Sequence, residues 1–284
     1  MGRLIALTAL TMVAFAANSV LNRTALVDGS TAPAAFAAVR LVSGAIFLSA
    51  LVLMRRGGLQ MFGTGAWLEA GTLTLYMLGF SFAYLTLDAG LGALILFGGV
   101  QLTMVAGAVL QGERLSLSRS IGTAIAFAGL MWLLWPAGSF QVPLVGAALM
   151  LAAALGWGTY SLQGRRVEDP LAATARAFVL ASIPGLLAWG LVPGAIDGRG
   201  VFLACLSGVV TSGMGYALWY SVLPRLTATA AALTQLVVPV IATIGGVIVL
   251  SEDVTLRLVL ASALVLGGVA FGIIQPFQRR GTDF

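Results

Sequence analysis

The sequence contains no histidine and no lysine, only one cysteine, and few charges of either sign. The missing histidine excludes a serine–histidine hydrolase and a histidine-ligated metal site. The missing lysine excludes a retinal-type Schiff base and a P-loop, whose lysine reaches the nucleotide phosphates, so this chain does not drive its work with ATP through such a loop. Cys205 is alone in an apolar run, so no intramolecular disulfide forms, and it reads as a packed, inert thiol. Asp88 lies in a short loop before Ala89 and Gly90 with no partner aspartate in another apolar segment. No enzyme chemistry is legible, and neither a cofactor nor a metal is expected.

Charged residues make up 9% of the 284 and apolar residues 60%. A soluble domain carries about a quarter charged residues, so this chain is expected to be dissolved in lipid. Its length accommodates roughly ten spans of about 20 residues. Ten apolar segments lie at roughly 4–22, 32–54, 66–87, 91–111, 117–135, 143–163, 172–193, 200–222, 228–250 and 256–275. They are too long for barrel strands, and lipid does not satisfy exposed backbone groups, so helices are predicted. The first segment has a second reading: Arg3, an apolar run and Ala14-Phe15-Ala16 resemble a cleavable leader. Asn18 and Asn22 on one helical face favour retaining it as a span.

What the sequence does have is a repeat. Leu91 to Glu113 reads LGALILFGGVQLTMVAGAVLQGE, and Thr229 to Glu252 reads TAAALTQLVVPVIATIGGVIVLSE. The two glutamates lie 139 positions apart (252 − 113), and in this register Ala93 falls on Ala232, Phe97 on Leu236 and Gly107 on Gly246. The chain thus divides into 1–139 and 140–284, five spans each within one membrane domain. An odd number of spans inserts the second half upside down relative to the first. All fifteen basic residues are arginine. With the N-terminus in the cytoplasm, ten of them fall on that side and only Arg23, Arg199 and Arg257 opposite, which predicts both termini cytoplasmic. They are spread over short loops rather than gathered in a patch, so no nucleic-acid partner is expected. The predicted fold is an all-α integral membrane protein of ten transmembrane helices in two inverted five-helix repeats. That is the architecture of secondary transporters, with a site between the halves.

The pattern resembles the drug/metabolite transporter superfamily, specifically its ten-helix EamA-type exporters. The resemblance covers the whole chain and is carried by Pro239, Glu113 and Glu252, the glycines Gly122, Gly129 and Gly268, the pair Trp157-Gly158, and Arg40 and Arg176. It departs in the first half, where Val100 stands at the position matching Pro239 and Ala17-Asn18 stand where a tryptophan–glycine pair is usual. The resemblance implies solute export across the inner membrane, and the aromatic-rich spans are most similar to bacterial exporters of aromatic and other neutral amino acids.

Polar and aromatic side chains within the spans are the candidates for solute contact. Tyr76, Phe80 and Tyr84 form a stripe at i, i+4 and i+8, and Tyr216, Trp219 and Tyr220 with Thr211 and Ser212 form another. Cavity lining and an interfacial belt are both open for them, with Tyr84, Trp219 and Tyr220 placed toward the belt. Gln101 and Gln235 lie deep, as amides that either meet a solute's carboxylate or ammonium or clasp two helices; Asn18 and Asn22, one turn apart, have the same two readings. Trp157 and Tyr160 are expected at the same cavity. Arg40 and Arg176 either hold an anionic group or serve structure, Arg40 by bonding interior carbonyls and Arg176, where structural use is favoured, by snorkelling; Glu69 is expected to reach the interface. Glu113 and Glu252 are expected to cap the start of the next helix rather than couple protons. Gly107 and Gly246 permit close helix approach, and Pro239 and Pro184 kink their helices. No membrane-embedded acid stands in the first span, which argues against a pump for cationic drugs. The expected partners are a small-molecule solute and the lipid bilayer, with the chain a monomer or a dimer. Two other readings remain: a carrier of anionic, nucleotide-sugar-like solutes, and a non-transporting receptor or scaffold.

Overall fold

A computed structural model describes residues 2–58, 65–110, 112, 115–135, 142–164, 167, 169–222, 225 and 234–274. Among the described residues there are no strands, and the chain runs through ten long helical stretches. These are α1 (Gly2–Leu26), α2 (Pro33–Arg56), α3 (Ala66–Ala83), α4 (Ala89–Leu110), α5 (Leu117–Leu134), α6 (Leu144–Gly164) and α7 (Pro170–Leu191). Then α8 continues through Gly198–Leu206, the π-helical Ser207–Met214 and Gly215–Val222, followed by α9 (Val237–Leu250) and α10 (Leu256–Ile274). Seven of the ten are long and apolar enough to cross a membrane. The apolar stretches of α9 and α10 are shorter, and α3, with Glu69, Thr72 and Thr74, is not one of the seven. The protein is a multi-pass membrane protein.

Local chemistry sets the helix ends. Pro33 and Pro170 occupy first-turn positions, where a missing N–H costs nothing. Asp169 and Asp197 accept the N–H groups of Ala172 and Gly200, and Ser116 accepts that of Arg119. Before α9 the helix is interrupted at Leu236, three residues ahead of Pro239. Proline has no N–H to donate to the carbonyl of Gln235, and its ring crowds that carbonyl. Pro184, by contrast, lies inside an unbroken α7.

The principal packing partners are α2 with α7, α4 with α9, α5 with α10, α3 with both α6 and α7, α6 with α4, and α1 and α2 with α8, with α1 also on α9. Exchanging each helix with the one five places along maps these pairings onto themselves: α3–α6 becomes α8–α1, α4–α6 becomes α9–α1, and α3–α7 becomes α8–α2. The α5–α10 pair stands at the side, meeting the rest mainly through α4. There a Cβ added to Gly268 would lie 2.7 Å from the carbonyl oxygen of Gly122, so only hydrogen side chains permit this approach. The same constraint acts between α2 and α8, where Gly208 sits against the carbonyl of Arg40. The core lies where α1, α2, α3, α4, α6, α7 and α8 converge.

Candidate functional site

Nine aromatic rings meet in this core. Trp157 of α6 is the hub, with ring centroids 5.0 Å from both Tyr76 of α3 and Tyr216 of α8, 5.8 Å from Tyr160 and 6.2 Å from Phe15 of α1. Phe15 makes edge contacts with Tyr216 at 5.8 Å and Trp219 at 5.9 Å, and Phe178 of α7 meets Tyr216 at 5.8 Å. Phe80 bridges Tyr76 at 5.3 Å and Tyr84 at 4.7 Å. Tilted and edge-on contacts at these separations match the ring quadrupoles. Helices of both halves, α1 and α3 with α6, α7 and α8, thus share one aromatic wall.

Arg40 of α2 is set into that wall and is fully buried. Its guanidinium carbon lies 5.2 Å from the Phe80 centroid and 5.6 Å from that of Tyr76, within cation–π range. Nε donates to Ser212 Oγ at 3.1 Å and Nη2 to Tyr76 Oη at 3.3 Å. Nη1 is buried without a hydrogen-bond partner. No described carboxylate pairs with this arginine; the ion pairs among the described residues join Arg23, Arg176 and Arg199 to acids elsewhere.

Ser212 belongs to the π-helical segment, and that segment also seats Asn18. Asn18 Oδ1 accepts the hydroxyls of Ser207 at 2.8 Å, Thr211 and Ser212, while Asn18 Nδ2 donates to the Thr211 carbonyl at 3.4 Å. The wider π turn brings Ser207, Thr211 and Ser212 onto one side, toward α1 and α2. A polar chain therefore runs from Asn18 through Ser212 to Arg40 and Tyr76, linking α1, α8, α2 and α3.

Arg176 has a structural partner, and its placement and that of Glu69 differ from the sequence reading. Instead of snorkelling and reaching the interface separately, they form an ion pair at 2.7 Å between α7 and α3, with side chains 12% and 7% exposed. Each supplies the counter-charge that makes the other tolerable in an apolar setting. Nearby, Tyr160 donates to Thr174 at 3.2 Å and Gln163 to Thr72 at 3.3 Å.

At the end of the bundle where α1 stops and α2 starts, the distal end, polar groups tie the halves together. Both carboxylate oxygens of Glu252 lie 2.9 Å from the Ala89 backbone N–H at the start of α4. The expected capping partner was the next helix; α10 is capped instead by Thr255, which accepts from Leu258 N at 3.1 Å. Ser251, with φ of 54°, turns the chain back toward α4, and Gly246 leaves room for the carboxylate. Arg23 lies 3.8 Å from Glu252 and 3.6 Å from Asp88, and donates to the carbonyls of Tyr84 and Leu85. Burial raises the Glu252 carboxyl above its usual pKa, with Asp88 adding to the rise and the Ala89 N–H and Arg23 opposing it. Arg199 pairs with Asp28 at 3.0 Å, Thr31 donates to Asp197, and the Ala32 N–H to the Ala195 carbonyl.

Of the residues singled out from sequence, Asn18, Arg40, Tyr76, Phe80, Tyr84, Trp157, Tyr160 and Tyr216 lie in this one connected network. Tyr84 and Trp219 do not form an interfacial belt. Tyr84 is fully buried and donates to the Ala89 carbonyl at 3.3 Å, and Trp219 is packed on Phe15. Gln101 is buried on α4 without a described hydrogen bond to the network, and Gln235 is half-buried just before the break at Leu236. Gly107 faces Leu162 of α6. Glu113 and the Tyr220 side chain lie outside the described residues. Sequence reasoning missed Phe15, Phe178 and Ser207. Phe15 stands three residues before Asn18 on the same helical face, a signal that was present.

The EamA-like transporter family matches residues 144–274. An uncharacterised protein of Pseudomonas aeruginosa is 45% identical over 278 residues, covering 96% of this chain and 95% of that protein. An uncharacterised transporter of Archaeoglobus fulgidus is 28% identical over 64% of this chain and 67% of its own length. A probable amino-acid metabolite efflux pump of Salmonella typhimurium is 26% identical over 68% of this chain and 70% of its own. A crystal structure with 23% sequence identity shares the fold, with a TM-score of 0.65 over 94% of this chain and 98% of that one.

Proposed function

The chain belongs to the EamA-like transporter family, and from that premise we propose that it is a secondary transporter of the inner membrane. It exports aromatic or neutral amino acids, or related small metabolites, by alternating access between halves 1–139 and 140–284. Both termini lie in the cytoplasm, which places the distal end outside. The exchange of helix pairings between positions five apart supports the two-half reading. The likeness to a probable amino-acid metabolite efflux pump of Salmonella typhimurium supports amino-acid metabolites as the solute class.

The observation that carries the proposal is the fully buried Arg40, which lies against Tyr76 and Phe80 of the first half and donates to Ser212 of the second. A guanidinium inside a membrane protein is costly, and it marks a solute or ion path unless a protein acid neutralises it. The solute's apolar body packs on Tyr76, Phe80 and Tyr216, and its polar end meets Arg40. The distal ties, Glu252 with Ala89 and Arg23 and Asp28 with Arg199, then close the site from outside. A nucleotide-sugar-like dianion fits less well, because, of the two arginines within the spans, Arg176 is already paired with Glu69, which leaves Arg40 for the solute.

The test is uptake of labelled solutes into proteoliposomes containing only this protein, comparing aromatic, small neutral and multiply anionic solutes. Saturable flux of the first two supports the proposal. Flux of multiply anionic solutes alone would replace it with the carrier of anions, and specific binding without flux would point to a receptor.

A further inference from the structure

The hydrogen-bonding inventory around Arg40 also discriminates between charge types of solute. A zwitterionic amino acid brings a carboxylate that needs donors and an ammonium that needs acceptors. The donors are present. Of the five N–H bonds of the Arg40 guanidinium, Nε–H is taken by Ser212 and one on Nη2 by Tyr76. Nη1 is buried and has none of its N–H bonds engaged. The edge that remains is the planar, two-pronged donor set that a carboxylate accepts in bidentate fashion.

The oxygens around the guanidinium are engaged, and the buried acceptor left unpartnered nearby, Asn22 Oδ1 one turn along α1 from Asn18, is a neutral amide and brings no counter-charge. Asn18 Oδ1 receives the hydroxyls of Ser207, Thr211 and Ser212. Ser212 Oγ receives Arg40 Nε, and Tyr76 Oη receives Arg40 Nη2. No described carboxylate enters the network: Glu69 is committed to Arg176, and Glu252 and Asp88 to Arg23 at the distal end. Among the described residues, the site carries one positive charge, N–H donors left over and no unpaired acid to receive an ammonium.

We propose that this site selects monoanionic carboxylates with an apolar or aromatic body, the deaminated relatives of neutral amino acids, over the zwitterionic amino acids themselves. A monocarboxylate neutralises Arg40 and leaves no charge unmatched, whereas the ammonium of a zwitterion is buried with no described acid to balance it. The inference rests on the transporter reading for its biological meaning, but it concerns binding and is tested by binding.

The probes are 3-phenylpropanoate, phenylalanine and methyl 3-phenylpropanoate, which share a ring and differ in charge. Binding is followed in detergent near neutral pH by calorimetry and by quenching of tryptophan emission, Trp157 being the hub of the ring cluster. The expected result is 3-phenylpropanoate bound at least about tenfold more tightly than either of the others, the scale of a hydrogen bond to a charged group. Arg40→Gln should abolish the difference between acid and ester. The wild-type comparison of acid and ester stands even if that variant fails to fold. Phenylalanine binding as tightly as 3-phenylpropanoate, the ester matching the acid, or no binding of any probe would each overturn the proposal. Tight binding of the acid without flux in proteoliposomes would instead sink the transporter reading while leaving the selectivity intact.

Discussion

Glu252 places both carboxylate oxygens 2.9 Å from the backbone N–H of Ala89, so the end of α9 in the second half caps α4 in the first. The contact supplies a hydrogen bond to an otherwise unpartnered N–H at the positive end of a helix, and the burial of the carboxylate opposes the gain from its charge. Glu252→Ala should therefore destabilise the protein by about 1 kcal/mol, the usual worth of such a cap. The loss is read as an earlier unfolding midpoint in a denaturant titration of the detergent-solubilised protein. An unchanged midpoint would show that the contact adds nothing to stability.

The same carboxyl gives a pH dependence with a definite sign. Its pKa in the folded protein is raised above the ordinary 4.5, chiefly by burial. The folded state therefore favours the protonated form. That contribution to stability is complete below the unfolded value and is lost as the pH climbs through the folded one. Between pH 4.5 and neutrality the wild type should lose thermal stability relative to Glu252→Gln, which does not titrate. Parallel melting curves for the two proteins across this range would contradict the assignment.

Arg176 and Glu69 form a nearly dry ion pair, and breaking one side leaves an uncompensated charge. Arg176→Met alone should cost about 3–5 kcal/mol, while Arg176→Met with Glu69→Leu should recover much of that loss. A double-mutant cycle in the same denaturant assay measures the coupling. Additive losses would mean that the two side chains do not depend on each other.

Gly208 fixes the spacing of α2 and α8, and with it the bond from Arg40 to Ser212. A methyl group there meets the Arg40 carbonyl and Ser43 Oγ, so Gly208→Ala should push the helices apart and weaken solute binding about tenfold or more, the cost of one lost hydrogen bond to a charged group. Titration with the solute that binds the wild type best checks this. Wild-type affinity in this variant would show that the α2–α8 spacing does not set the site.

Much of the fold was legible because lipid narrows the options: apolar segments of span length become helices, and the ten stretches fall near the places that composition alone marks. Proline at 239 signalled the break that the structure shows at Leu236. The i, i+4, i+8 spacing of Tyr76, Phe80 and Tyr84 signalled one shared face. What the sequence left open was partnership across the chain. Glu69 and Arg176 are 107 positions apart, and nothing local indicates that they pair. Glu252 was legible as a cap but not as the cap of α4, because the left-handed turn at Ser251 redirects it. Tyr84 stands near a segment end, where a belt is the ordinary reading, yet it is fully buried beside Ala89. Ser207, Thr211 and Ser212 converge only because α8 widens to a π turn, which their spacing does not signal.

The central claim is that solute exchanges between two sides through the Arg40 site, and counterflow tests it most directly. Proteoliposomes are loaded with unlabelled solute, diluted into a trace of the labelled one, and followed in time. An alternating-access carrier produces a transient overshoot of label inside, and the overshoot should be lost in Trp157→Ala, which removes the hub of the ring cluster. Label that only equilibrates, or no uptake of any solute class by folded protein, would contradict the account.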